Sequence, residues 1–291
     1  MEARKTDRSK RARDYEDDMF ERRLQADLNS PPKPKAKTIN KNGVILYRGP
    51  SRIDGKPIVV IATGLKRKSK NAKTNDMIQT WILRDDVHPK DAIYNGEDAS
   101  ICGNCPHRVR EHAEPRYLTK LIRTCYVNMR TPIAIWNCLK RGGYEEATVE
   151  HVRAIRKRHV RLGSYGDPAA VPFGVWKLIK PAKDRHRTGY THQWDWSGID
   201  ERLKQLCMAS ADSEEERGRA QARGWRTFEV RPLGAGAPER GFQCPSDPAL
   251  DTHKSCEDCG ACHGAPRGVR ASPWIYAHGP SKKRVGLNIL Q

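Results

Sequence analysis

The chain has 291 residues, enough to bury a sizeable core as one large domain or two smaller ones. Lys and Arg number 54 against 35 Asp and Glu, a formal net charge of +19 that exceeds what solubility requires and points to nucleic acid as partner, DNA ahead of RNA. A charged N-terminus and the lack of any apolar run of about 18 residues exclude a secretory signal and a membrane helix, so the protein is expected in the cytoplasm with reduced thiols.

Residues 1–38 read as a charged N-terminal arm and linker. RSKRARDYEDDMFERRLQADL can form a helix with a thin apolar stripe through Tyr15, Met19, Phe20 and Leu24, and PPKPKAK at residues 31–37 cannot continue it. Residues 39–100 read as a small antiparallel β unit built from VILYRG, PIVVIATG and MIQTWIL, with a tight turn at Asp54-Gly55. The loop LKRKSKNAKTN predicts a flexible basic finger in which Lys66, Arg67, Lys68, Lys70 and Lys73 straddle phosphates.

Residues 101–291 read as an α/β domain. IRTCYVN predicts a strand, PIAIWNCLKRG a helix with Pro132 at its start, and EEATVEHVRAIRKRH a basic helix offering Arg153, Arg156, Lys157 and Arg158 to nucleic acid. Four further strands follow in HVRLGS, GYTHQW, LCMASA and TFEVR, with WIYAH as the last. AAVPFGVWKLIK, SGIDERLKQL and SEEERGRAQARG predict helices between them. This alternation predicts a parallel sheet, open or curled into a partial (β/α) barrel, with Cys-rich insertions that bind metal.

Two cysteine groups carry the metal expectation. Cys244, Cys256, Cys259 and Cys262 form a Cys-x11-Cys-x2-Cys-x2-Cys cluster whose sulfurs can reach one centre. The metal stays open between zinc and a 4Fe-4S cluster, because the spacing resembles both kinds of ligation. Cys102 and Cys105 form a knuckle-like turn that Cys125 or His107 can complete. Cys138 and Cys207 lie in apolar stretches and are expected in the core.

Ligands of parallel α/β sheets gather outside the carboxyl ends of the strands. At those ends the chain places Tyr165 and Asp167, then His192 and Gln193, then Asp212, a set suited to proton transfer and hydrogen bonding. As the catalytic candidate, Asp167 is expected to tolerate replacement by Asn without loss of folding.

The runs YRGPSRIDGKPIVVIATG, ICGNCPHR, RTCYVN, RLGSYGDPAAVP, TGYTHQW, MASADS, GWRTF and CPSD…CEDCGAC resemble those of a protein family found in tailed-phage genomes. The family carries no activity over to this chain, and it implies the host cytoplasm as location. A more distant similarity is to radical-SAM enzymes, which implies S-adenosylmethionine as cofactor beside Cys102, Cys105 and Cys125, although their Cys-x3-Cys-x2-Cys run is absent here. A phage base-exchanging transglycosylase, a barrel with a Cys-rich zinc site, is a comparison of the same kind, implying an aspartate nucleophile. Two functions follow as expectations. One is a metal-containing enzyme modifying nucleic acid or nucleotides; the other is a zinc-stabilised, non-catalytic nucleic-acid-binding protein of phage replication or gene control.

Overall fold

The β-branched runs that follow Asn42 do form strands: β1 (Gly43–Pro50), β2 (Pro57–Thr63) and β3 (Ile78–Arg84), each antiparallel to the next. In the computed structural model the described residues are 22, 41–68, 71–113, 119–251, 254–264 and 271–278, so the arm expected over residues 1–38, Arg22 excepted, and Lys70 lie outside them. The connection at Asp54-Gly55 is wider than a two-residue turn. It spans Ser51 to Lys56, closed by Ser51 N donating to Lys56 O at 2.8 Å, and Gly55 holds a φ of 77° that disfavours any side chain.

The remaining strands are β4 (Arg110–Ala113), β5 (Thr119–Ile122), β6 (Glu145–Glu146), β7 (Val160–Tyr165), β8 (Arg187–Thr191), β9 (Met208–Ala211), β10 (Thr227–Arg231), β11 (Phe242–Gln243) and β12 (Pro273–Tyr276). Among the described residues, ten of these twelve strands make one sheet in the order β11-β12-β10-β9-β8-β7-β3-β2-β1-β6, and β4 pairs with β5 in a second. From β3 through β7, β8, β9, β10 and β12 to β11 every pairing is parallel. The fold is therefore mixed α/β with a mostly parallel sheet, and the antiparallel strands are its continuation rather than a detached unit. β2 and β3 are buried on both faces, as central strands with such continuous apolar runs require.

Helices are few and short: α1 (Pro89–Tyr94), α2 (Ala99–Cys102), α3 (Arg130–Lys140), α4 (Val149–Arg156), α5 (Phe173–Leu178), α6 (Glu214–Ala222) and α7 (Cys256–Cys259). Pro132 sits in the first turn of α3, where its missing N–H costs nothing. Ser213 caps α6 by accepting from Glu216 N at 3.1 Å. Three expectations are corrected. The strand foreseen through Cys125 ends at Ile122, and residues 123–128 have no regular structure. AAVPFGVWKLIK is split by Pro172 into a 3-10 turn at Pro168–Ala170 and α5, since proline cannot donate and disfavours helix in the residue before it. SGIDERLKQL yields only the 3-10 turn Glu201–Gln205, opened by Asp200 accepting from Arg202 N at 3.0 Å. Among the described residues no helix is long and apolar enough to cross a membrane.

The seam between β3 and β7 carries an irregularity that shapes the site. Gln79 pairs with Arg161 but Trp81 with Tyr165, so the β7 backbone bulges, with Gly163 at a φ of 64°. The ladder bonds missing there are replaced by one hydroxyl. Thr80 Oγ1 donates to Arg161 O at 3.0 Å and accepts from Gly163 N at 2.9 Å. Thr80→Val keeps the shape and leaves both backbone groups unpaired, so it is expected to destabilise the protein by about 1–3 kcal/mol in urea unfolding. A loss within error of zero would show that the hydroxyl does not carry the bulge.

Candidate functional site

Because β7, β8 and β9 are parallel neighbours, the residues just beyond them emerge on the same side of the sheet. Asp167, His192 and Asp212 occupy those three positions, and His192 is in contact with both of the others. Their chemistry differs. Asp167 Oδ1 accepts from Ala169 N at 2.9 Å, and Oδ2 accepts from His192 N at 2.8 Å. The carboxylate thus ties the end of β7 to the end of β8, and burial pushes its pKa above the usual range against the pull of the Ala169 amide.

Asp212 is a bridge between two imidazoles. Its Oδ1 lies 2.9 Å from His107 Nε2, and its Oδ2 lies 3.2 Å from His192 Nε2. These donor atoms are all within 4.8 Å of one another, and among the described residues no other His, Cys, Asp or Glu trio is so close. Burial works to raise the Asp212 carboxyl but His192 and His107 outweigh it and hold it well below the usual carboxylate range. For His192, burial opposes the charge, yet Cys105 and Asp212 raise the imidazole well above its ordinary value. His107 Nδ1 is taken by Thr124 Oγ1 at 2.8 Å.

Gln193 supports the Cys102–Cys105 turn. Its Nε2 donates to Cys102 O at 3.0 Å and its Oε1 accepts from Asn104 N at 3.2 Å. A Cβ on Gly103 would fall 2.2 Å from that Oε1, so the turn needs glycine there, at a φ of 53°. Tyr165 is buried and its hydroxyl has no hydrogen-bond partner. Burial, with Cys102 and Asp98 nearby, raises that phenol well above its ordinary value.

The two cysteine sets meet at one cavity of about 380 Å³, lined by Cys102, Cys105 and Cys125 from the first and by Cys244 and Cys256 from the second. His107, Tyr165, Asp167 and His192 also line it. Burial drives the Cys102 thiol well above its ordinary value and Cys125 upward, with Cys105 adding to both. In the second set, burial and the neighbouring thiols push Cys244 up to about 11 and raise Cys256 and Cys262. Burial comes first among the causes for each of these thiols, and the neighbouring thiols add to it. Cys207 is in the core and half-buried Cys138 packs beside Gly143, both away from the cavity lining.

The basic residues divide. Lys66, Arg67, Lys68 and Lys157 are exposed, while Arg153 and Arg156 are half-buried on α4. Arg158 is paired with Asp76 at 2.6 Å. Lys73 is not at a solvated finger tip. It lines the cavity, where burial lowers its pKa against the pull of Cys244 and Cys256. Sequence reasoning missed Arg161 and Tyr190, which also line the cavity; the Arg161 guanidinium donates to Tyr126 Oη at 2.7 Å and lies 5.7 Å from the Tyr190 ring. An arginine at an inward position of a buried strand was the available signal.

No protein-family model, curated protein or solved structure matches this chain.

The double acceptance by Asp167 argues against Asn being neutral for folding. An amide has one acceptor oxygen, and its NH2 would face a backbone N–H. Asp167→Asn is expected to cost about 1–3 kcal/mol. Unchanged thermal and urea midpoints would show that the two amide bonds are not what holds the strand ends together.

Proposed function

We propose that this protein is an iron–sulfur enzyme acting on nucleic acid or nucleotides, with its substrate held in the cavity that both cysteine sets line. That shared lining carries the reading, because a zinc centre that only staples loops has no need to face a cavity. Three thiols without a fourth, Cys102, Cys105 and Cys125, leave a coordination position of the kind reactive metals keep. Cys244, Cys256, Cys259 and Cys262 supply a complete set.

The Cys-x2-Cys-x2-Cys run with a remote Cys-Pro resembles iron–sulfur ligation, and that resemblance supports the cluster reading. When bound, such clusters supply one-electron transfer, and the chain's own residues do the rest. Arg161 and Lys73 offer positive charge to a phosphate-bearing substrate, and Tyr126, stacked on His278 at 5.7 Å, offers an aromatic face to a base.

Protein purified without oxygen is expected to be brown, with about eight irons and eight sulfides per chain. Cys105→Ser and Cys256→Ser should each remove about half of that iron, because each breaks one four-iron set. S-adenosylmethionine added to the reduced protein should alter the electron paramagnetic resonance signal that Cys105→Ser abolishes. Colourless protein holding only zinc would sink the reading and leave the non-catalytic nucleic-acid-binding role in its place.

The outer basic face gives a separate expectation. Replacing Lys66, Arg67 and Lys68 together with Ala should lower the slope of log K against log salt for duplex DNA by up to about 0.9 for each phosphate that is no longer neutralised. An unchanged slope would place the phosphate-binding residues elsewhere.

A further inference from the structure

We propose that His107, His192 and Asp212 form a separate metal site, a two-histidine, one-carboxylate centre for a single divalent transition ion such as zinc or ferrous iron. The residues come from the loop after α2, the end of β8 and the end of β9, and their donor atoms stand within 4.8 Å of one another. On a tetrahedral ion with bonds of about 2.0–2.1 Å, adjacent ligands lie about 3.3 Å apart. The pairs observed here are separated by 2.9 and 3.2 Å.

Two of these atoms have no hydrogen-bond partner. His192 Nε2 and Asp212 Oδ2 are both buried and face each other at 3.2 Å without hydrogen-bond alignment. A buried orphan nitrogen beside a buried orphan carboxylate oxygen is a costly arrangement that one ion placed between them would satisfy. His107 is already held as a metal-bound histidine is held. Its Nδ1 meets Thr124 Oγ1 at 2.8 Å, and with that hydroxyl as acceptor the Nε2 lone pair is free for a metal. Asp212 is steadied in turn by its own amide, which donates to Glu216 Oε2 at 2.8 Å.

Imidazole and carboxylate suit zinc or ferrous iron, and three protein ligands leave positions open. Both histidines line the cavity, so those positions lie where a substrate would reach them. This site does not depend on the thiols holding clusters.

The test uses the full chain after anaerobic purification, with Co2+ as probe. Wild-type protein is expected to bind one more Co2+ than Asp212→Ala, and the missing equivalent should show ligand-field absorption without a thiolate charge-transfer band. Iron and sulfide should be the same in both proteins, so this result stands apart from the fate of the cluster reading. Thr124→Val, which keeps all three ligands, should weaken Co2+ binding about 10–100-fold. Should Asp212→Ala fail to fold, Asp212→Asn and His107→Gln replace it, with melting curves as control. Equal Co2+ stoichiometry and affinity in wild-type and folded variants would overturn the proposal and leave only the His107–Asp212 hydrogen bond, with His192 packed beside it.

Discussion

A buried carboxylate with both oxygens committed to backbone amides is the constraint on which the site depends. Asp167 reaches Ala169 N on its own side and His192 N across the gap between two strands, at 2.9 and 2.8 Å. The second bond sets where His192 begins. From there His192 faces Asp212 at 3.2 Å, Asp212 faces His107 at 2.9 Å, and Gln193 holds the Cys102 turn through its carbonyl at 3.0 Å. Each contact uses a group positioned by the one before it. Charge in this region is deeply desolvated, so a broken link leaves an orphan rather than a group that water can rescue.

The strand ends thus serve two purposes at once. Asp167 and Gln193 build the frame, whereas His192 reaches the cavity wall and Asp212 stands between it and His107. The division has a simple origin in the length and charge of the side chains. A short carboxylate beside a turn caps amides readily, and an imidazole one strand over is long enough to leave the backbone and reach a partner.

The periodicity of the chain was informative wherever a strand was buried on both faces or alternated cleanly. VVIA, WIL and the run from Val160 to Leu162 could be placed without the structure, because β-branched residues at these densities have few other uses. The strand-end polar set was also legible, since a parallel sheet fixes which end of each run is the carboxyl end. What could not be read was direction off the sheet. Cys125 lies in irregular backbone after β5, where no period guides it. Lys73 turns inward from a run whose composition reads as solvated, and that turn is fixed by a contact 183 residues away along the chain, Cys256 N donating to Lys73 O at 2.6 Å. His107 showed itself only as a possible thiol companion. Its pairing with Asp212 joins residues 105 apart and has no local signature.

That same hydrogen bond between Cys256 and Lys73 has a mechanical side. The short helix α7 carries two of the four thiols of its set, and it is moored to the loop before β3 at Lys73 O and again where Glu257 accepts from Asp76 N at 3.0 Å. Asp76 is itself anchored by Arg158 at the root of β7. Two moorings and an anchor make a stiff linkage between the thiol-bearing turn and the cationic wall of the cavity. The wall cannot shift without moving the turn, so whatever fixes the geometry of those thiols also fixes the placement of the lysine.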